Sequence, residues 1–437
     1  MTQTVSAPRL RVADALEAVT EGDLPFRFTA FDGSATGPRD AGYTLHVANE
    51  RGLRFILTAP SDLGLARAYL SQDLQVQGTG DYRPGDPYQL LRDLQHLRLR
   101  RPAPGEIARL VKGLGLSRLV PPEPPAQEAP PRWRRSFDQL RERTGFTRAA
   151  KAISHHYDVG NPFYERVLGP SMTYTCALYR TADSTLEQAQ HDKYELVADK
   201  LQLQPGQRLL DVGCGWGGMV RHAAREYGVR ALGVTLSRQQ ALWATEAIER
   251  EGLSHLAEVR HLDYRHVEES GFDAISSIGL TEHIGLGHYT EYFRFLNGKL
   301  KPGGRLLNHC ITNADLTRRH RPGGFIDRYV FPDGELATVG LLLRELNENA
   351  GFEVQHVENL RQHYAMTLRD WCRNLDENWE ECVALSDEAT AKVWGLYMAG
   401  SRVSFESLHG IELIQVLATR HTGTEPAPFP LRPDWRA

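Results

Sequence analysis

Five cysteines in 437 residues, Cys176, Cys214, Cys310, Cys372 and Cys382, are scattered without a C-x-x-C pair. Such spacing offers neither a structural zinc site nor a disulfide framework, and a reducing compartment is the natural reading. No uninterrupted apolar run reaches the roughly 18 residues that a transmembrane helix needs. The opening MTQTVSAPRLRVADALEAVTEGD lacks a charged start followed by an apolar stretch, so no secretory signal is expected. A net charge of only −4 argues against nucleic-acid binding driven by global charge.

What the chain does carry is one dense glycine loop. Residues 208–218 read RLLDVGCGWGG: Leu209 and Leu210 run into Asp211, and Gly213, Gly215, Gly217 and Gly218 permit a tight turn that opens a helix near Met219. A strand–loop–helix of this kind cradles a nucleotide. Glycines admit close backbone approach, helix N-terminal N–H groups point into the same space, and Asp211 offers a carboxylate at the strand's end. No Gly-Lys-Ser/Thr follows, which argues against a P-loop. A NAD-type site would end the next strand, Arg230–Thr235, with an acid for the ribose diol, but here it ends Thr235-Leu236-Ser237.

A chain of this length suggests two domains. Residues 1–10 read as a flexible leader. Residues 11–97 read as a small α+β domain, with a helix at 13–20, strand-like alternation at 26–31, 43–47 and 54–58, and a helix at 62–72. It holds no catalytic constellation, so a scaffold or dimerisation module is favoured over a lipid-positioning one. Residues 98–136, built around PPEPPAQEAPP, favour extended polyproline spacing and read as a linker. The flanking Arg98, Arg100, Arg101 and Arg132-Trp133-Arg134-Arg135 suit anionic headgroups or a solvated face equally.

From 137 to 422 strands and helices alternate. Helices are expected at 149–155, 192–201, 219–227, 237–251, 289–300 and 336–350, with strands entering the glycine loop and at 230–235, 257–262, 272–278, 305–311 and 353–359. That order predicts a doubly wound α/β fold with ligand at the carboxyl ends of its first two strands. Residues 312–335, rich in Gly, Pro and Arg, interrupt the rhythm and read as a lid. Helices at 366–380 and 386–405, a last strand at 411–418 and a mobile tail at 423–437 complete the expectation.

Five segments then fall in a telling order: HYDVGNPFYERVLGPSMTYTCALY (156–179), LDVGCGWGG (210–218), GVTLSRQQ (233–240), SIGLTEHIG (277–285) with KPGGRLLNHCIT (301–312), and FIDRYVFPDGEL (325–336) leading to HYAMTLRDW (363–371). Over roughly 145–420 the chain resembles the S-adenosylmethionine-dependent cyclopropane-fatty-acyl-phospholipid synthase family, which includes the mycolic-acid cyclopropane synthases. The resemblance implies a seven-stranded class I methyltransferase (Rossmann-like) sheet with an antiparallel last strand. It further implies that Asp211 and Gly213, with Gly215, hold the methionine part of S-adenosylmethionine. Thr235, Leu236 and Gln240 would form the ribose and adenine rim, and Tyr174 and Thr175 the sulfonium end. Asp263 and Tyr264, after the third strand, have the chemistry to accept from the adenine amino group and to stack; Tyr264 reads equally as a core ring, and Thr235 as a strand terminator.

An isolated cis alkene is a poor nucleophile, so it must be held against the electrophilic methyl in a dry pocket, where a carbocation forms. The resemblance implies a bound bicarbonate as base, held by Cys176, Glu282, His309, Ile311 and Tyr364. The His309 ring, the Tyr364 hydroxyl and backbone N–H groups suit an anion. Glu282 beside one must either orient His309 or share a proton with the anion. Taken singly, Cys176 reads as core packing or a nucleophilic thiol, and His309 as a satisfied core histidine.

Where family members commonly read Met-Phe-Glu-His, this chain has Leu280-Thr281-Glu282-His283. Its N-terminal domain and its ending FESLHGIELIQVLATR look closer to the actinobacterial branch that converts oleoyl chains to a methylene-branched product. The expected reaction is therefore methyl transfer to the cis double bond of an oleoyl-type phospholipid, giving a 10-methylene chain, with cyclopropane formation as the alternative. Expected partners are an unsaturated phospholipid, a membrane met peripherally from the cytoplasmic side, a second copy through the N-terminal domain, and a separate reductase for the product; no metal and no nucleic acid are expected. An N- or O-methyltransferase of a small polar acceptor would need no bicarbonate pocket. A non-catalytic lipid-binding protein would not need intact glycines and Glu282.

Overall fold

The computed structural model describes residues 10–78, 85–100, 102–128, 159–314, 324–331, 334–407, 410–423 and 428–435. Two compact units form, and they do not follow chain order. Residues 322–330 and 386–403 gather with the N-terminal 131 residues, and the remainder makes the second unit.

In the first unit the strands Arg27–Ala30, Ala35–Thr36, Tyr43–Val47 and Leu74–Gly78 make one sheet. The alternation reads correctly there: Phe28 and Ala30 point inward, as do Tyr43, Leu45 and Val47. Residues 54–58, expected as a strand, instead close the helix Glu50–Thr58. The deciding signal lies upstream, where the Asn49 side chain accepts the Gly52 N–H at 3.1 Å and so starts a helix that carries the short apolar run with it.

The expected linker is folded over its described part. Arg98–Leu99 pairs with Thr20–Glu21, and Pro104–Leu114 is a helix with proline at its first position. Glu128, in the Pro-rich stretch, has a buried side chain: it accepts two bonds from Arg67 at 2.7 Å each and one from the Tyr329 hydroxyl at 3.0 Å, and it pairs with Arg328. The helix Glu388–Glu406, expected in the catalytic domain, contributes residues 388–403 to this unit, with Arg402 over the Tyr88 ring at 3.7 Å. Within the expected lid, Ile326–Val330 is a π-helical turn of the same unit, and the preceding Phe325 N–H donates to Asp62 at 3.0 Å. Arg132–Arg135, Arg318, Arg319, Arg321 and the helix expected at 149–155 lie outside the described residues.

The second unit is built on seven strands: β1 Arg208–Val212, β2 Arg230–Thr235, β3 Ala257–His261, β4 Phe272–Ile278, β5 Leu300–Asn313, β6 Phe352–Asn359 and β7 Ile411–Arg420. Their order is β6-β7-β5-β4-β1-β2-β3, parallel from β5 through β3, with β7 antiparallel to both its neighbours. This is the doubly wound methyltransferase sheet that the sequence led one to expect. Successive residues feed opposite faces: Leu209, Ala231, Ala274 and Leu307 enter one core, and Leu210, Leu232, Ile275 and Leu306 the other. Both faces are apolar because helices cover both. The order reverses between β4 and β1, so the crevice at their carboxyl ends is the natural ligand site.

The helices that matter for that crevice are α1 Asn161–Leu168, α2 Leu186–Leu201, α3 Gly218–Tyr227, α4 Arg238–Arg250 and α5 Arg361–Glu377. Helix α2 starts six residues earlier than the apolar pattern alone suggests, because Thr185 and Gln188 form a reciprocal capping box. The helix expected at 336–350 divides into Val339–Arg344 and a π-helical turn Glu345–Asn349.

Candidate active site

The glycine loop makes a cleft because its backbone conformation excludes side chains. Gly213, Gly215 and Gly217 have φ of 76°, 55° and 75°, in the left-handed region that favours glycine. The N–H groups of Gly213 and Cys214 both donate to Val234 O, at 2.9 and 3.0 Å, which ties the loop to the end of β2. A Cβ on Gly218 would lie 2.0 Å from the Tyr194 hydroxyl, whereas one on Gly215 would meet nothing within 4 Å. Gly218 is thus required by packing, and Gly215 borders open space.

That space is a cleft with about 520 Å3 of empty volume, solvent included. Of the residues expected to hold the cofactor, Tyr174, Thr175, Asp211, Gly213, Gly215 and Gln240 line it. Asp211 is buried and accepts the Ser276 hydroxyl at 2.6 Å. Burial raises its carboxyl to about 6, against the pull of Ser276 and of the Lys193 ammonium. Thr235 Oγ1 donates to the Gln240 side chain at 2.8 Å and so orients it while standing behind the lining. Leu236 is half-buried, and its carbonyl meets His261 Nε2 at 3.1 Å.

Asp263 and Tyr264 sit just past β3, outside the lining. Asp263 accepts the Arg265 backbone N–H at 2.9 Å and its guanidinium at 2.6 and 3.0 Å. Tyr264 packs edge-on against Tyr292 and Phe295, with ring centroids 5.2 and 5.4 Å away.

The sequence reading missed Lys193. It is fully buried on α2, lines the cleft, donates to Thr175 Oγ1 at 3.1 Å and sits 3.6 Å over the Tyr194 ring. Burial pushes its ammonium down to about 7. It is legible only as an inward-facing position on a helix otherwise patterned like a surface one.

Of the residues expected on the acceptor side, Glu282 follows β4 and reaches β5, where its Oε1 accepts the Ile311 N–H at 2.7 Å. Its Oε2 is buried without a protein partner, as are His309 Nε2 and Thr312 Oγ1. Burial lifts the Glu282 carboxyl to about 7 and holds the His309 ring neutral. Gly279, in the cleft lining, donates its N–H to the His309 carbonyl at 2.8 Å, so the two regions adjoin. Cys176 is buried with its thiol raised, Sγ facing Ala177 O at 3.2 Å. A thiol so held is no nucleophile. Tyr364 opens α5, packed on Phe405 at 4.5 Å and edge-on to Trp371 at 6.0 Å.

Those rings belong to a continuous aromatic run that the sequence reading also missed. Trp216 lies 4.9 Å from Tyr164, Tyr164 is 6.1 Å from Tyr174, and Tyr174 is 5.3 Å from Trp371, which leads on to Tyr364. Trp216 is anchored by its Nε1, which donates to Asn161 at 2.9 Å. Its members come from four separate elements, so no local pattern announces the run.

Behind the loop, His191, Glu195 and His222 bring ligand-type atoms within 4.8 Å of one another. His222 Nε2 lies 3.0 Å from Glu195 Oε1. Burial, with His191 and the charges of Arg225 and Lys193, holds the His222 ring neutral.

Comparison with known proteins agrees with this architecture. Residues 145–416 match the family described as mycolic acid cyclopropane synthetase. A probable fatty acid methyltransferase of Mycobacterium tuberculosis is 55% identical over 98% of this chain and 99% of its own. The cyclopropane-fatty-acyl-phospholipid synthase of Escherichia coli K12 is 35% identical over 61% of this chain and 66% of its own. The crystal structure of a mycolic acid cyclopropane synthase complexed with SAH and CTAB superposes with a TM-score of 0.58 at 32% identity, covering 62% of this chain and 98% of the other.

Proposed function

Because the chain belongs to the mycolic acid cyclopropane synthetase family, and is a methyltransferase that uses S-adenosylmethionine to methylate or cyclopropanate lipid acyl chains, we propose that its acceptor is the cis double bond of an oleoyl-type phospholipid and its product a 10-methylene chain. The observation that carries an alkene acceptor is that Glu282 Oε2 and His309 Nε2 are both buried without a protein partner, on residues that adjoin the cofactor cleft through Ile311 and Gly279. A buried polar atom without a partner calls for an explanation, and a bound group that completes it is one. A small anion suits them, since a neutral His309 and a protonated Glu282 both donate.

The residues divide the work. Asp211 takes the ammonium end of the cofactor, and the glycines admit its chain to the helix terminus. Tyr174 and Thr175 bound the reacting methyl. S-adenosylmethionine supplies an electrophilic methyl, which leaves a cation on the neighbouring carbon of the alkene. The aromatic run from Trp216 to Tyr364 offers ring faces to that cation and excludes water from it. Bicarbonate held by Cys176, Glu282, His309, Ile311 and Tyr364 would supply the base. Glu282 does not orient His309, because its Oε1 is committed to Ile311 and the His309 Nδ1 is taken by Gln415. Sharing a proton with the anion is the role left to it.

Methylene branching is favoured over ring closure by Thr281, which stands where the family commonly has an aromatic, and by likeness to a relative named a fatty acid methyltransferase. Peripheral contact with the cytoplasmic membrane face would deliver the lipid; among the described residues no helix is long and apolar enough to cross a membrane. Mass spectrometry of oleoyl phospholipid vesicles incubated with enzyme and S-adenosylmethionine tests the reading. A gain of CH2 on the acyl chain is expected, and methylation confined to the headgroup would overturn it.

A further inference from the structure

We propose that a rung of side chains across the sheet, Glu358, Gln415 and His309, clamped by the buried Lys200, fixes the His309 ring as its Nε2–H tautomer, which makes Gln415 and Lys200 positioning residues for the acceptor pocket. The inference rests on the placement of His309 in that pocket proposed above.

Register builds the rung. Gln415 on β7 stands directly opposite His309 on β5 and directly opposite Glu358 on β6. Residues so paired in antiparallel strands project to the same face of the sheet. Lys200, in the last turn of α2, descends onto that face fully buried; its Nζ donates to Gln415 Oε1 at 2.7 Å and pairs with the Glu358 carboxylate.

The chemistry then runs one way. An ammonium only donates, so the Gln415 atom facing Lys200 has to be the amide oxygen; the flipped amide would set NH2 against NH3+. The Gln415 NH2 is left to face His309 Nδ1 at 3.1 Å, and it donates there. Nδ1 must accept through its lone pair, and a neutral imidazole then carries its proton on Nε2. That Nε2 is the buried atom without a protein partner. Burial, with the charges of Lys193 and Lys200 nearby, disfavours a second proton on the ring. His309 therefore presents an N–H and no lone pair to whatever fills the pocket. It cannot abstract a proton from a substrate methyl group; it can bind the group that does.

Long-range proton–nitrogen NMR of the 15N-labelled full chain reads the tautomer directly, with the signal assigned by its loss in His309→Gln. Nδ1 should resonate as an unprotonated ring nitrogen and Nε2 as a protonated one. In Gln415→Glu the new carboxylate accepts, so the two signals should exchange, turnover should fall about tenfold or more, and affinity for S-adenosylmethionine should hold. A protonated Nδ1 in the wild type would overturn the lock itself, and that measurement needs no variant to fold. Exchanged signals with undiminished turnover would overturn instead the placement of His309 in the acceptor pocket.

Discussion

Glu282 and Ile311 are joined by a single bond that divides the Glu282 carboxyl into two unlike atoms. Oε1 accepts the Ile311 backbone N–H at 2.7 Å, and Oε2 is buried with no protein partner. The Ile311 N–H favours the charged form, yet desolvation outweighs it and lifts the group to about 7. Near neutrality a large share of Glu282 is a carboxylic acid with a proton to offer through Oε2.

The native state binds that proton more tightly than the unfolded chain does. Ionising Glu282 therefore costs stability as pH rises from the ordinary value of 4.5 to about 7. Glu282→Gln keeps an acceptor for Ile311 and removes this cost. At pH 8 the variant should melt at a higher temperature than wild type, bind S-adenosylmethionine normally, and lose about 100-fold or more in turnover. Wild-type turnover should itself decline above about 7. A variant with normal turnover would remove Glu282 from the site.

Asp211 carries the opposite requirement, since it must be ionised to hold an ammonium group. With its carboxyl at about 6, the dissociation constant for S-adenosylmethionine should rise roughly tenfold for each pH unit below that value. Ser276→Ala removes a hydrogen bond that favours the charged form, so the midpoint should move upward. Calorimetry between about pH 5 and 7.5 checks both, and a flat profile would reject Asp211 as the amine partner.

Gly215 and Gly218 should separate binding from folding. Gly215→Val meets open space and faces a left-handed strain of about 1–2 kcal/mol, so the protein should fold with a modest fall in melting temperature and bind no cofactor. Gly218→Ala sets a Cβ 2.0 Å from the Tyr194 hydroxyl and should damage the fold itself. Wild-type cofactor affinity in Gly215→Val would reject the cradle.

Lipid delivery predicts peripheral, charge-assisted membrane binding, with Arg132, Arg134, Arg135, Arg318, Arg319 and Arg321 as the candidate headgroup contacts. Sedimentation with vesicles should increase with anionic lipid and fall with salt. Indifference to both would overturn the proposal.

The sheet was legible because its central strands are mostly apolar and alternate with segments of helical periodicity, and the β2 and β4 bounds read from sequence are those of the structure. Asp211 and the glycines announced the cleft for the same local reason. Tertiary choices were not written locally. Nothing in the helical pattern of residues 388–403 says which unit they join, and nothing in the spacing of Glu128 says that Arg67 and Arg328 will enclose it. Lys193, Lys200 and Gln415 look like solvated residues until register and burial place them. Helix boundaries slipped where a cap outvoted the apolar pattern, at Asn49 and Thr185.

Two products can leave the common cation. Loss of a methyl proton with ring closure gives a cyclopropane. A 1,2-hydride shift first moves the cation to the methyl-bearing carbon, and loss of a methyl proton then gives an exocyclic methylene. The proton leaves from the same group in both, so the base pocket need not differ; the lifetime and surroundings of the first cation decide. Thr281 is fully buried, and its hydroxyl donates to Asn308 Oδ1 at 2.7 Å, so position 281 adds no ring of its own to those that face the first cation, which is then stabilised less than where that position is aromatic. The shift should therefore win, and proton NMR of the product lipid should show vinylidene signals; upfield cyclopropane resonances without them would overturn the choice. Thr281→Val keeps the shape and deletes only the bond to Asn308, so it should lower the melting temperature and leave the product unchanged. Thr281→Phe, where it folds, should move product toward the ring. A product altered by Thr281→Val would mean that the hydroxyl, rather than the missing aromatic face, sets the outcome.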